Sequence, residues 1–410
     1  MENSTNYTLL LQSSYFDLAL GCTILIGIAA LVGIAGNLMI IFFYFFRIKD
    51  RGERYYIPIL AVIDFLASIT SSLYNIMDNS YFYNYPNDVI CRLLSALQVC
   101  VPGISAHVLL LISIQRYLLV CKPFGPKMTL YWKRVALGLV CGITVVYSVP
   151  ILGTAGVKTS QEVYLNHNVT VKICKFSADS SSYITIYFGI LSLIIIGNIV
   201  ATGAFYIPVL KQVRIAFRSF RRKVANKYKE DTVPTELEAV SDSNAEQIEM
   251  KTISVSNAST PATNELPVSN LSPGKNAEPG SITETDDTED VGTNNPNISK
   301  NENTDDKPKE MKETKSKRKS VQRRLTMMFF VLILAYIISY IPPLVFLVLT
   351  YAIENFNFLT LTKTESVLWI YLPRLVFLNH VINPFIYGYY DTKLRDQLTT
   401  CFKRKRHIIN

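Results

Sequence analysis

Charge is scarce in this 410-residue chain, with only 18% of residues Asp, Glu, Lys or Arg, against about 25% in a soluble domain. Histidine numbers 4 and tryptophan 2. No His-Glu-x-x-His, Gly-x-Ser-x-Gly or metal-spaced cysteine set occurs, which argues against an enzyme built on those motifs. Residues 229–328 lack Phe, Tyr and Trp altogether. Within that stretch, residues 229–313 hold 19 of the 32 acidic residues and only 7 of the 41 basic ones. The remaining basic residues cluster between apolar runs instead of lining one polar face, so no nucleic-acid partner is expected.

The apolar runs decide the class. A helix needs about 20 apolar residues to cross the ~30 Å hydrocarbon core. Leu18–Phe46, Leu93–Gln115, Val135–Val157, Ser180–Leu210 and Leu325–Ile353 contain no Asp, Glu, Lys or Arg. Tyr55–Met77 holds only Asp64, and Ser366–Tyr390 only Arg374. These seven runs predict an all-α integral membrane protein. No inverted repeat is visible and seven runs do not halve, which disfavours a transporter or channel, the rival class.

Lys and Arg collect in alternate loops, around Arg47–Arg54, Arg116–Arg134, Lys211–Lys223 and Lys393–Arg406. This bias puts the N-terminus outside and the C-terminus in the cytoplasm. No basic n-region or cleavage site precedes the first run, so span 1 is expected to act as the insertion signal. The sequons at Asn3, Asn6 and Asn168 then face outward as glycosylation sites, whereas those at Asn257, Asn270 and Asn297 stay bare inside. The division is an extracellular N-terminus at 1–17, spans 1–5 within 18–217, a disordered third cytoplasmic loop at 218–320, spans 6 and 7 within 321–390, and an amphipathic helix with tail at 391–410. The loop's composition cannot offset the entropy of ordering it. Its basic edges, Lys211–Lys229 and Lys315–Arg324, continue spans 5 and 6 in helical spacing and suit either a cytoplasmic partner or anionic lipid.

Of seven cysteines, Cys91 and Cys174 alone fall at exposed positions in the oxidising outside compartment and are expected to pair. Before Cys174, two β-prone runs, Val163–Leu165 and Val169–Ile173, flank a turn signal at Asn166-His167-Asn168. Leu394, Leu398 and Phe402 recur every four residues, so an amphipathic helix is expected on the membrane surface, with Cys401 as a palmitoylation site. Polar groups within a membrane are costly and tend to be functional. Asn37, Asp64, Ser105, Asn379 and Asn383 are therefore expected to face one another. His107 reads as a helix-contact residue. Arg374 suits the headgroups or a ligand equally.

Ordered along the chain, these features resemble the rhodopsin-like (class A) G-protein-coupled receptors. Gly36-Asn37 lies in span 1, Leu60-Ala61-Val62-Ile63-Asp64 in span 2 and Gln115-Arg116-Tyr117 at the inner end of span 3. Tyr206 ends span 5, Ser339-Tyr340-Ile341-Pro342 occupies span 6, and Asn383-Pro384-Phe385-Ile386-Tyr387 closes span 7. The resemblance implies a seven-helix bundle with a short eighth helix. It implies a heterotrimeric G protein, arrestin and receptor kinases as partners. It implies activation through Arg116, Tyr117, Tyr206, Pro342, Asn383, Pro384 and Tyr387. Asp64, Ser105, Asn379 and Asn383 are similar to the family's sodium pocket, so Na⁺ is the expected allosteric ion, with no other cofactor. Gln115 replaces the usual acid and Gln322 offers no carboxylate, so Arg116 is expected to lack an acidic clamp and basal signalling to be raised.

The same resemblance places Gln98, Tyr340 and Phe377 at the ligand. Gln98 stands where aminergic members carry Asp, leaving an ammonium without an ion-pair partner. Phe377 stands where opsins carry a Schiff-base Lys. The hairpin, Gln98 and the aromatic loop Tyr81-Phe82-Tyr83-Asn84-Tyr85-Pro86 lean toward a short peptide ligand. A non-amine small molecule or an amine is the alternative. Those tyrosines suit an interfacial aromatic belt equally well.

Overall fold

The computed structural model describes residues 2–48, 52–176, 181–230, 307–352 and 362–409. Its elements run α1 (Glu2–Phe42), α2 (Tyr56–Tyr81), α3 (Asp88–Val120), α4 (Leu130–Thr154), β1 (Ala155–Tyr164), β2 (His167–Phe176), α5 (Ser181–Glu230), α6 (Lys307–Ala352), α7 (Lys363–Tyr371), α8 (Leu378–Tyr390) and α9 (Thr392–Ile409). Six helices are long and apolar enough to cross a membrane. The seventh span is two pieces, α7 and α8, joined by a 3₁₀ segment at Leu372–Phe377. The fold is the expected seven-span helical bundle followed by a C-terminal helix.

Local chemistry starts the helices. The Asn87 side chain accepts from the Val89 and Ile90 amides at the head of α3, and Thr129 caps α4. Thr362 and Glu365 form a capping box on α7. The Thr362 hydroxyl bonded to the Glu365 carboxylate holds that carboxyl below its usual range. Asp391 caps α9, accepting from the Lys393 and Leu394 amides. Helix α5 continues to Glu230 and α6 begins at Lys307, so helix reaches into both edges of the expected 218–320 loop. Residues 231–306 lie outside the described residues.

The main core joins α1, α2, α3, α6 and α8 around Leu60, Leu109, Ile112, Phe329, Tyr336 and Tyr387, all at most 1% exposed. Burial on this scale stabilises by about 25 cal/mol per Å² of apolar area. Close approach of α1 depends on glycine. A Cβ at Gly36 would lie 2.9 Å from both Cβ and Cγ of Pro384, and one at Gly33 would meet the Ser68 hydroxyl at 2.6 Å. Asn37 Nδ2 fixes the contact by donating to the Gly33 and His380 carbonyls, each at 2.9 Å.

One end of the bundle carries the β1–β2 hairpin, and α9 lies at the other. The strands pair antiparallel from Ala155 opposite Phe176 to Tyr164 opposite His167. The turn is Leu165-Asn166, with φ of 51° and 63°, earlier than the expected Asn166-His167-Asn168. Two consecutive left-handed residues give the turn whose twist matches a hairpin. His167 and Asn168 consequently become strand residues.

The N-terminal stretch is no separate tail, because α1 runs unbroken from Glu2. Tyr7 stacks on His167 and Tyr15 on Phe82, both at 4.3 Å between centroids. Gln12 donates to the Ser80 carbonyl and accepts from the Tyr83 amide. Tyr83 and Tyr85 pack beneath this cap at 8% and 3% exposure. Burial pushes both phenols up to about 12. The 83–85 backbone also pairs with Lys172 in β2. The aromatic loop therefore serves packing within the chain; of its tyrosines only Tyr81 is exposed.

Candidate ligand cavity and helix-coupling sites

A cavity of about 250 Å³ opens among α3, α4, α5, α6 and the 3₁₀ segment. Gln98, Pro102, Ala106 and His107 line it from α3, Tyr147 from α4, and Leu191, Ile195 and Asn198 from α5. Tyr336, Tyr340 and Pro343 come from α6, and Pro373 and Val376 from the 3₁₀ segment. No Asp, Glu, Lys or Arg lines it. The Cys91–Cys174 disulfide ties the top of α3 to β2, which brings Phe176 to the cavity wall.

Gln98 and Tyr340 meet as the sequence suggested; Phe377 does not. Its side chain is 2% exposed and packs with Ala30 and Val381. The reason is winding. A 3₁₀ helix turns about 20° more per residue than an α-helix, or about 120° over six residues. That rotation sends Phe377 toward α1 and leaves Val376 and Pro373 at the cavity. His107 makes the expected helix contact, Nδ1 donating to the Gly103 carbonyl at 2.7 Å, and also lines the cavity. Arg374 takes neither of its expected settings: its guanidinium lies 2.8 Å from Asp78 and also bonds Asn79 and the Ile370 carbonyl, binding the 3₁₀ segment to α2.

Below the cavity the intramembrane polar groups converge on Asp64. Ser105 Oγ donates to Oδ1 at 3.0 Å and Asn383 Nδ2 to Oδ2 at 2.6 Å. His380 Nδ1, absent from the expected set, donates to Oδ1 at 2.8 Å. Asp64 and His380 are both fully buried. The side-chain oxygens of Asn379 and Asn383 are buried without partners, as ligand atoms for a cation would be. The carboxylate that must supply the negative charge is nevertheless taken by three donors. These residues do not fit a bound Na⁺ as they stand, because the imidazole holds the oxygen it needs. His380, one turn before Pro384, carried no sequence signal beyond being a histidine inside a membrane span.

At the α9 end, Arg116 has the acidic partner that Gln115 and Gln322 deny it. Its Nη1 donates to Glu53 Oε2 at 2.9 Å and its Nη2 to the Glu53 carbonyl at 2.8 Å. The guanidinium also covers the Phe329 ring of α6 at 4.4 Å. The expected unclamped arginine is thus corrected. The clamp comes from the turn between α1 and α2, where Gly52 adopts φ 43° and Gly52–Arg54 form a 3₁₀ turn. The neighbouring Arg54 reaches the other way. Its Nε donates to Asp391 at 3.1 and 2.9 Å, and Tyr44 also donates to that carboxylate. One turn therefore grips both α3 and the start of α9. The glycine before an acid–base pair in a short basic loop was the available clue.

Tyr206 donates from α5 to the Thr326 carbonyl of α6. Tyr117 meets Phe205 edge-on at 5.6 Å. Tyr387 is fully buried and its hydroxyl has no partner. Pro342 interrupts α6 beside Pro343. Cys401 is half-buried on α9, near Leu398 and the main core. Asn6 and Asn168 are exposed at the hairpin end.

The sequence profile of the 7 transmembrane receptor (rhodopsin family) matches residues 36–387. The chain belongs to that family. It is a class A G-protein-coupled receptor, a multi-pass membrane protein that signals through G proteins, and not an enzyme. Among curated proteins no similar sequence is found.

Proposed function

We propose that this receptor is switched by a short extracellular peptide reaching the cavity from the hairpin end, with the N-terminus outside the cell. The observation that carries this is an uncharged cavity beneath a disulfide-tethered hairpin. A small amine finds no carboxylate there, and an isolated buried ammonium is costly. A compact non-amine molecule is the second reading, favoured by the cavity's ~250 Å³, just under the span of drug-sized sites.

In this reading, ligand contact with Tyr340 and Gln98 shifts a two-state bundle. Helix α6 swings at Pro342, since proline lacks the N–H that would hold the turn. Arg116 leaves Glu53 and Phe329, and with Tyr117, Tyr206 and Tyr387 it receives the G protein. Asn383 and Pro384 carry the change along α8. Arrestin and receptor kinases are further cytoplasmic partners. A palmitoyl group on Cys401 and the basic helix ends hold membrane lipid, and Asn3, Asn6 and Asn168 carry glycans. The test is a peptide library, with amines as controls, read as Gα activation in cells alongside surface staining of an N-terminal epitope. A peptide response lost in Arg116→Ala at unchanged surface level is expected. An amine response without a peptide response would overturn the peptide assignment.

A further inference from the structure

The polar groups in the cavity walls are nearly all spent within the protein. Tyr340 donates its hydroxyl to the Pro102 carbonyl at 3.0 Å. Tyr336 donates to Asn198 Oδ1 at 2.7 Å. His107 Nδ1 is bonded to its own helix. Two amide atoms remain: Gln98 Oε1, an acceptor on α3, and Asn198 Nδ2, a donor on α5, both buried without a partner. Asn198 is only 6% exposed, so water does not serve it freely. A buried donor left unpaired costs about 1–3 kcal/mol and calls for an explanation.

Neighbouring residues sharpen the two positions. The Tyr336 bond fixes which end of the Asn198 amide is used, leaving the NH₂ for the cavity. Ala106, small and opposite on α3, keeps the space there open. Pro102 has no N–H, so the Gln98 backbone carbonyl also loses its helical donor. The α3 side thus offers acceptors and the α5 side offers a donor. The rest of the wall is apolar or aromatic, and nothing in it balances a full charge.

We propose that the cavity recognises a neutral carboxamide carried on an apolar body: Asn198 Nδ2 donates to its carbonyl and Gln98 Oε1 accepts a ligand N–H. This rests on reading the cavity as the receptor's ligand site, and it deepens that reading by fixing the ligand chemistry. A free carboxylate or an ammonium on the same body is excluded, since either would be desolvated without a counter-charge. For a peptide, the inserted group is an uncharged side chain or a blocked terminus.

The test uses full-length receptor in lipid nanodiscs and three matched probes: N-acetylphenylalaninamide, N-acetylphenylalanine and phenylalaninamide. They are neutral, anionic and cationic on one aromatic body. Binding is read by saturation-transfer NMR and titration calorimetry. The neutral probe is expected to bind at least about tenfold tighter than either charged one. Asn198→Leu combined with Tyr336→Phe, which leaves no stranded hydroxyl, is expected to weaken the neutral probe about fivefold, one net hydrogen bond. Gln98→Leu is expected to do the same. Melting temperatures of the empty variants check that they fold; should the double variant not fold, Gln98→Leu and the probe ranking decide. Equal or tighter binding of a charged probe would overturn the proposal. So would no binding of the neutral one, or unchanged affinity in the folded variants. Selective neutral binding alongside a silent peptide screen would remove the peptide reading and leave this one standing.

Discussion

Glu53→Ala should turn this receptor on without ligand. The substitution deletes the carboxylate on Arg116 but keeps the backbone carbonyl that Nη2 uses and the Phe329 ring beneath the guanidinium. The Arg116 side chain is 0% exposed and that of Glu53 32%. The pair therefore lies between a solvated bridge, worth up to ~1 kcal/mol, and a buried one whose disruption costs ~3–5 kcal/mol. A value of ~2 kcal/mol, typical of a hydrogen bond to a charged group, is appropriate. Because Arg116 makes this contact in the inactive arrangement alone, its loss multiplies the active-to-inactive ratio about 30-fold. A basal active fraction of about 1% would rise to about 20%. The assay is ligand-free dissociation of Gα from Gβγ, by resonance energy transfer in cells, normalised to surface receptor. Glu53→Gln, which keeps a neutral acceptor, should fall between wild type and Ala. Adding Gln115→Asp to Glu53→Ala supplies an adjacent acid and should lower the signal again. Unchanged basal signalling in Glu53→Ala at equal surface expression would refute the clamp.

Other contacts give equally direct expectations. Asp391→Asn strands buried Arg54 and removes the anionic cap of α9, so the melting temperature of purified receptor should fall, at a cost of about 3–5 kcal/mol. Gly36→Leu cannot fit against Pro384 at 2.9 Å; overpacking of about 1–3 kcal/mol should appear as lost surface expression, while Gly27→Leu, whose position faces open space, should be tolerated. Replacing NaCl with choline chloride should leave thermal stability unchanged, because His380 occupies the Asp64 oxygen. His380→Ser should introduce sodium-dependent stabilisation, and a sodium effect already present in wild type would contradict the assignment.

Much of this receptor was legible in its sequence, because the membrane imposes a one-dimensional rule. Backbone polar groups must be satisfied inside each span, so span length and charge spacing determine the seven-helix class before any packing is known. The gathering of Asp64, Ser105 and Asn383 follows from the same rule applied to side chains. The Cys91–Cys174 tie followed from the compartment on each side. Short-range signals also sufficed for the hairpin, though not for its turn, where backbone twist moved the left-handed pair to Leu165-Asn166.

Contacts between distant elements were decided by the tertiary structure. Phe377 left the cavity because a 3₁₀ segment added about a third of a turn that apolar periodicity does not encode. Glu53 and Arg116 lie 63 positions apart and Asp64 and His380 316 apart. Nothing local in either pair announces the other. Residue types and span lengths fixed which groups needed partners; helix rotation and close approach at Gly33 and Gly36 decided which partners they found.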